Sequence, residues 1–275
     1  MKQSVFLLAG LCCALTACQD IEKKAATRLE LARQAYEAGL YNEAKLHIDS
    51  IKILYPKAYD TRRAGIYLLQ DVELAEQQKT LAYLDSCFQA TSQQLEELKP
   101  RFVLEKDTAY QQTGRYLVPS QVIEKNLHRS FLRFQTDERG VLSFTSIYCG
   151  NRSIHHTAVK VIAPDGSFAQ TPPSKDSYET EDLGEKIEKA DYKQGEDGGV
   201  IAFISTHKDQ NLKVEYLGDR TFSTTLTSAD RQAASLITSL SQVLAALTHI
   251  QEQTEEANQK IRFIQENMKR RKTKE

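Results

Sequence analysis

The chain has 275 residues, enough for two modest domains or one large one, and 27% of its residues are charged while 40% are hydrophobic. This balance is typical of a globular body, and no run of residues after position 18 is apolar enough to predict a bilayer-spanning helix. Lysines and arginines number 36 and acidic residues 37, so the net charge of −1 gives no electrostatic reason to expect a nucleic-acid partner.

The first eighteen residues carry a specific motif. A cationic start at Lys2 is followed by a mostly apolar run over 5–15, which ends in Leu15-Thr16-Ala17-Cys18. The segment is too short for a spanning helix and is typical of a processed export signal. It resembles the signal of bacterial lipoproteins, whose lipobox is a small-residue run ending in cysteine. The resemblance implies that residues 1–17 are removed and that Cys18 becomes the acylated, palmitate-carrying N-terminus; an ordinary secretory signal is the alternative.

The residue after the lipobox bears on localisation, and the remaining cysteines bear on the redox state. Gln19 is not the aspartate of inner-membrane retention signals, so the same resemblance implies a cell outer membrane lipoprotein, facing the periplasm or the surface. Beyond Cys18, only Cys87 and Cys149 follow in the chain. An oxidising compartment permits a bridge between them, and two separate half-buried thiols are the alternative.

Residues 26–55 predict a helical hairpin, because apolar residues recur at helical spacing on both sides of a break. The residues that define the second helix and the break are Gly39, Tyr41, Ala44, Ile48, Ile51 and Pro56. This set resembles one tetratricopeptide-type repeat, in which small residues let two helices pack closely. Ala35 stands where that family has an aromatic, and one unit is fewer than the three repeats that bury a continuous core. A generic hairpin is therefore the alternative.

Two long helices are predicted on either side of the middle of the chain. The region from Tyr59 to Lys99 is rich in helix-favouring residues, and Pro100 ends it. The second helix follows Ser228, the expected N-cap, with Asp230 in its first turn. In its 3-and-4 series from position 233 to position 268, ten of eleven residues are apolar, which is typical of a coiled coil.

We expect these two helices to form an antiparallel two-helix coiled-coil stalk within one chain, with Leu84 opposite Leu244. A parallel homo-oligomer of the C-terminal helix is the alternative. The last turn of that helix carries four cations, Lys269, Arg270, Arg271 and Lys272. If the helix returns to the lipidated base, these side chains contact anionic lipid; ordinary helix-end charges in solvent are the alternative.

Residues 101–227 change character and contain short β-favouring runs separated by turns. Thr136–Gly140 and Ala163–Gly166 each lie between two such runs, and further strands are predicted at 200–204, 212–216 and 221–226. These runs predict an antiparallel β-sandwich-like domain inserted between the long helices, in an α+β fold. The acidic segment 174–199 lacks an apolar period and predicts a long surface excursion, with a short helix near 184–190.

No motif for catalysis, cofactor binding or metal binding is found. The six histidines include no His-Glu-x-x-His pair, and the cysteines lack ligand-spaced partners. His155 and His156 are adjacent and, on a strand, would point to opposite faces, so we expect surface or loop histidines. The carboxylates between Glu179 and Asp197 lack EF-hand spacing, which favours a solvated loop over a calcium site. We therefore expect no catalytic residue, cofactor or metal.

Together these patterns predict a non-enzymatic envelope lipoprotein that presents a β-rich interaction domain on a helical stalk, with a protein partner at the strand edges or at residues 174–199. One alternative is an envelope or surface hydrolase acting on polysaccharide, which needs a cleft with converging carboxylates. Another is an envelope assembly or chaperone-like factor, which needs exposed apolar surface along its helices.

The predicted segments are a signal peptide (1–17), lipid anchor and helical hairpin (18–57), stalk helix one (58–100), β-rich head (101–227), stalk helix two (228–272) and tail (273–275).

Overall fold

The computed structural model describes residues 3–107, 109 and 112–273, with the side chains of the first helix described from Asp20 onward. The side chain of Cys18, those of the predicted signal peptide, and tail residues 274–275 therefore lie outside the described residues. The helices are α1 (Gln3–Glu37), α2 (Tyr41–Leu54), α3 (Tyr59–Leu98), α4 (Val200–Thr206) and α5 (Ser228–Lys272). The strands are β1 (Val103–Glu105), β2 (Arg115–Leu117), β3 (Phe131–Asp137), β4 (Leu142–Gly150), β5 (Ala158–Ile162), β6 (Phe168–Gln170), β7 (Asp176–Asp182), β8 (Glu185–Lys193), β9 (Lys213–Leu217) and β10 (Phe222–Thr225).

The fold is α+β, as predicted, and the chain divides into two units. The helical unit comprises Met1–Ser86 and Glu252–Glu275, and the β-rich unit comprises Cys87–Gln251. Both α3 and α5 cross a boundary, so each of these helices contributes residues to both units.

The helical hairpin predicted for residues 26–55 is confirmed. α1 and α2 are joined at Gly39, whose φ of 73° is a left-handed conformation that glycine adopts without strain. Ala32 and Ala44 are fully buried, because small side chains let the two helices approach closely. Gly65 of α3 is buried against the hairpin, where a Cβ would make ordinary van der Waals contact with Ile48, at 3.6 Å. The likeness to a tetratricopeptide repeat stays a prediction.

Within the helical unit, α3 and the last part of α5 run in opposite directions. Arg271, near the end of α5, donates a hydrogen bond of 3.2 Å to Gln70. Leu84, further along α3, shares a cavity with Ala257 of α5. The predicted antiparallel orientation agrees with these contacts, but the predicted register is wrong, because Leu84 lies across from Ala257 rather than Leu244. The coiled-coil geometry itself stays a prediction.

The β-rich unit contains two antiparallel sheets. One has six strands in the order β1-β2-β3-β4-β8-β7, and the other has four in the order β10-β9-β5-β6. The hairpins predicted around 136–140 and 163–166 are confirmed as β3–β4 and β5–β6, and the last two predicted strands as β9 and β10. The three-residue strands β1 and β2 were not predicted, because three residues are too few to show an alternation.

The prediction for residues 174–199 was wrong, because this segment forms the hairpin β7–β8. A two-residue turn at Leu183 and Gly184 joins the strands, and both residues have positive φ angles. The buried positions of β8 are Glu188, Ala190 and Tyr192. An acidic residue therefore occupies an inward position. It interrupts the alternation of apolar and polar residues that would have predicted a strand.

The strand predicted at 200–204 is the helix α4. Val200, Ile201 and Ile204 are buried, which is the spacing of one helical face. The helix follows Gly199, whose φ is 79°, and the Asp197 carboxylate accepts a hydrogen bond of 3.1 Å from the Ile201 N–H. The β-branched run predicted a strand, but these local contacts and the packing of one face favour a helix.

One apolar core joins residues of both sheets, α4 and the first part of α5. The sheets contribute Phe144 and Tyr216, among others, and α5 contributes Ile237 and Leu240. By length and hydropathy alone α5 is a candidate membrane span, since an 18-residue window reaches a mean hydropathy of 1.4. The expectation that no such run follows position 18 was therefore too strict, although core helices satisfy the same criterion and α5 supplies this core.

The helix α5 spans Ser228–Lys272, as predicted, but its N-cap differs from the predicted one. Thr227, and not Ser228, is the N-cap: its Oγ1 accepts a hydrogen bond of 3.1 Å from the Asp230 N–H. The Asp230 carboxylate in turn accepts a hydrogen bond of 2.7 Å from the Thr227 hydroxyl. These reciprocal bonds resemble a capping box and fix the point at which the helix begins.

Candidate functional site

Three buried polar side chains, Ser146, His156 and Glu188, form a chain of contacts in the β-rich unit. Ser146 lies on β4 and Glu188 on the neighbouring strand β8, and their register puts both side chains on the same face of the six-stranded sheet. His156 lies in the loop between β4 and β5. Because β4 and β5 belong to different sheets, this loop carries the chain from one sheet to the other.

The Glu188 carboxylate organises this loop. Its Oε1 accepts hydrogen bonds from the Ile154 N–H at 2.6 Å and the His155 N–H at 3.0 Å. Its Oε2 accepts from the His156 N–H at 2.8 Å and lies 3.0 Å from His156 Nδ1. Burial acts to raise the pKa of Glu188, but the hydrogen bonds from His156 and Ile154 outweigh it, so the pKa lies below its ordinary value.

The His156 ring lies between Glu188 and Ser146. Burial lowers the pKa of His156 despite the bond to Glu188, so the ring is neutral at neutral pH. Since an ionised carboxylate can only accept, the ring proton resides on Nδ1, and Nε2 accepts from the Ser146 hydroxyl at 2.9 Å. We predicted a surface or loop histidine here; His156 is in a loop, but its side chain is 0% exposed.

The order serine, histidine, carboxylate is the order of a nucleophile, a base and its orienting acid. Here, however, Ser146 is 0% exposed and His156 only 2% exposed, so a substrate cannot reach the hydroxyl. The arrangement instead ties β4, the connecting loop and β8 together through charge-assisted hydrogen bonds. We interpret it as a structural clasp that holds the loop between the two sheets against the six-stranded sheet. The sequence did not reveal it, because its members are far apart in the chain.

A second, exposed layer adjoins this clasp. His155, whose φ is 52°, has its Nδ1 2.8 Å from Oε1 of Glu179 on β7, and this hydrogen bond raises the pKa of His155. His155, Glu179 and Glu188 offer ligand atoms within 4.8 Å of one another, which is a spacing suited to a metal. Glu188, however, already receives two hydrogen bonds on each oxygen, which fills the acceptor sites of a carboxylate. Of the three residues, only His155 and Glu179 have ligand atoms left for an ion, and these two are hydrogen-bonded to each other.

The two cysteines beyond the predicted lipobox are free and half-buried, as the second of the two interpretations had it. Cys149 Sγ donates to Glu185 Oε2 at 3.4 Å, and the same oxygen contacts His128. Burial and this hydrogen bond raise the pKa of Cys149 to about 11. The thiol is therefore protonated at neutral pH and is a poor nucleophile.

The predicted lipid-facing residues belong to the helical unit. Of the four cations of the last turn, Lys269, Arg270 and Lys272 are exposed, while the Arg271 guanidinium lies 4.3 Å from the centroid of the Tyr67 ring on α3. Near the start of α3, Glu22 of α1 accepts a hydrogen bond of 2.6 Å from the Thr61 hydroxyl.

The hydrolase alternative needs a deep cleft in the β-rich unit. Among the described residues, three surface cavities of about 190, 470 and 400 Å³ are lined by residues of the helical unit. The carboxylates of Glu179, Glu185 and Glu188, described above, are paired with histidines or backbone N–H groups. No protein-family model, curated protein or solved structure matches this chain.

Proposed function

We propose that this chain is a non-enzymatic, lipid-anchored envelope protein of the outer membrane. In this proposal acylated Cys18 holds the helical unit at the membrane, and the β-rich unit is an interaction domain for a protein partner. One observation carries it: the residues that follow Cys18 and the basic last turn of α5 both contact the first turns of α3, through Glu22–Thr61 and Arg271–Tyr67. The anchor and Lys269, Arg270, Arg271 and Lys272 would thus meet the same anionic lipid surface.

The proposal includes two finer features of the architecture. We infer that α3 and α5 form the two-helix coiled-coil stalk, which the apolar series from 233 to 268 supports. We also infer that the two sheets pack as a sandwich, which the shared apolar core supports.

The anchor is tested by replacing Cys18 with alanine in the full chain. We expect the wild-type protein to incorporate labelled palmitate and to fractionate with outer membranes, and Cys18→Ala to lose both properties, since a single cysteine carries the acyl chains. The matched control is Cys149→Ser, which removes another cysteine and should keep the label. A labelled Cys18→Ala protein, or an unlabelled wild type, would contradict the proposal.

The partner surface that we propose is the outer edge of β7. β7 is the last strand of the six-stranded sheet, and six of its seven residues are exposed, while Thr180 is half-buried. The pair next to the two-residue turn, Asp182 and Glu185, exchanges both backbone hydrogen bonds. Counting back from it, the backbone groups of Ser177, Glu179 and Glu181 face away from β8 and are available to a further strand.

The charge of β7 indicates the chemistry of that strand. Its sequence contains four acidic residues and no cation. Acidic side chains prevent two such edges from pairing with each other, and they favour an extended segment rich in lysine or arginine. We therefore propose that the partner adds a basic strand to this edge.

A proline substitution tests this edge. Ser177→Pro removes an outward N–H and leaves the β7–β8 hydrogen bonds intact, so the fold should be retained. We expect an extended peptide of alternating lysine and valine to bind the wild type and to lose roughly tenfold in affinity for Ser177→Pro, measured by fluorescence anisotropy. A peptide of alternating glutamate and valine is the charge control. Equal binding to the wild type and to Ser177→Pro would contradict the proposed edge.

A further inference from the structure

The turn between α2 and α3 lies at the same end of the helical unit as the start of the predicted mature chain. Glu22, one helical turn after Cys18, accepts hydrogen bonds from the Asp60 N–H at 3.3 Å and from the Thr61 hydroxyl at 2.6 Å. The residues of this turn therefore lie close to the point at which the acyl chains would be attached.

This turn exposes apolar side chains that no described part of the chain covers. Ile53 is 74% exposed, Leu54 59% and Tyr59 68%. On α2, the buried face is formed by Ala44, Ile48 and Ile51. Ile53 lies on the opposite side of the helix, so its exposure follows from the helical geometry and is not a gap in the packing.

Cations lie close to these apolar side chains in the sequence. The segment 51–63 contains Lys52, Lys57, Arg62 and Arg63 against a single acidic residue, Asp60. Lys52, Lys57 and Arg63 are exposed. Nearby on α1, the charge of Asp20 is compensated by Lys24, at 3.0 Å. Apolar side chains within a cationic surface are typical of proteins that lie on an anionic membrane.

We propose that Lys52, Ile53, Leu54, Lys57, Tyr59 and Arg63 form a membrane-docking surface, which we call the base patch, and that its occupant is the anionic headgroup and upper acyl region of a lipid bilayer. The inference rests on the proposed function in one respect, because the acyl anchor would bring this end of the helical unit to the bilayer. The apolar side chains insert at the interface, while the cations contact lipid phosphates. The patch fixes the orientation of the helical unit, which a flexible acyl chain alone does not.

The patch is tested without the acyl anchor, using the chain that begins at Gln19. This chain keeps the core of the helical unit, whose first buried residue is Ala25. We expect it to float with phosphatidylcholine vesicles that contain about a third phosphatidylglycerol, and much less with pure phosphatidylcholine vesicles. The double variants Ile53→Ser with Leu54→Ser, and Lys52→Gln with Lys57→Gln, should each weaken binding roughly tenfold. Circular dichroism checks that both keep their helices.

Matched controls come from the β-rich unit, where Leu183 is 89% exposed and the Lys175 side chain 85%. Leu183→Ser and Lys175→Gln should leave vesicle binding unchanged.

Equal flotation of the wild type and the patch variants would overturn the proposed base patch and leave the basic last turn of α5 as the lipid contact. Loss of self-association in the patch variants, with vesicle binding unchanged, would identify an interface between copies and also overturn it. Palmitate labelling of the full chain is independent of these outcomes, so failure of the patch and failure of the anchor are distinguishable.

Discussion

Replacing Glu188 by glutamine is expected to destabilise the β-rich unit by about 2–5 kcal/mol. The carboxylate accepts three backbone N–H groups and the His156 Nδ1–H. A glutamine amide keeps one acceptor oxygen and places an NH₂ donor where the other oxygen was, so two buried donors lose their partner. The measurement is urea unfolding followed by tyrosine fluorescence, because the chain has 12 tyrosines and 0 tryptophans.

The matched control is Glu179→Gln, on the neighbouring strand. The Glu179 side chain is 47% exposed and contacts His155 at the surface, so its loss should change the free energy of unfolding by less than about 1 kcal/mol. If Glu188→Gln unfolds at the same urea concentration as Glu179→Gln, the clasp does not stabilise the β-rich unit.

The clasp also sets the direction of the pH dependence. The pKa of His156 is lowered by burial from 6.5, and that of Glu188 lies below 4.5 because of its N–H donors, although burial opposes them. For both groups the unfolded state binds more protons as the pH falls, so their stabilisation is present above the unfolded pKa and is lost on acidification. We expect the urea concentration at the unfolding midpoint of the wild type to decrease as the pH is lowered below about 6.5. It should decrease further as the pH is lowered below about 4.5. The second decrease should be smaller in Glu188→Gln, because Glu138 and Glu185 also have lowered pKa values and remain in this variant.

The helices α1, α2, α3 and α5 could be predicted from the sequence because each has a helical pattern and readable ends, whereas the short apolar run of α4 predicted a strand. Gly39 supplies the left-handed residue between α1 and α2, and Pro100 follows the end of α3. The β3–β4 and β5–β6 hairpins were equally readable, since turn residues separate two β-favouring runs in each case. The β7–β8 hairpin was not, because β7 is an exposed edge strand and β8 carries Glu188 at an inward position. Its pattern therefore lacks the apolar alternation on which strand prediction depends.

The clasp could not be predicted for a related reason. Ser146, His156 and Glu188 meet only because β4 pairs with β8 and the loop after β4 folds over that pair. Sequence analysis treated the two adjacent histidines as strand neighbours on opposite faces. In the structure they lie in a loop, because the carboxylate of Glu188 binds three consecutive N–H groups and so replaces a strand partner. The signal that could have indicated the clasp is an acidic residue, Glu188, at an inward position of a strand.

Replacing Asp230 by alanine is expected to destabilise the β-rich unit by about 3–5 kcal/mol. The Asp230 side chain is 3% exposed and accepts two hydrogen bonds from the Arg129 guanidinium, at 2.6 and 3.2 Å. It also accepts from the Gln121 amide at 2.9 Å, and Gln121 Oε1 accepts from the Phe134 N–H of β3. Alanine at position 230 leaves the buried amide of Gln121 and the Arg129 cation without this partner, and it also removes half of the α5 cap.

Thr227→Ala separates the cap from the network. It removes the hydroxyl that caps α5 but keeps the Asp230 carboxylate in place for Arg129 and Gln121, so it should lower the free energy of unfolding by only about 1 kcal/mol. The difference between the two variants in urea unfolding measures what the Arg129–Asp230–Gln121 network contributes. If Asp230→Ala is no less stable than Thr227→Ala, α5 is held to β3 by the apolar core alone, and the buried charge serves only as a helix cap.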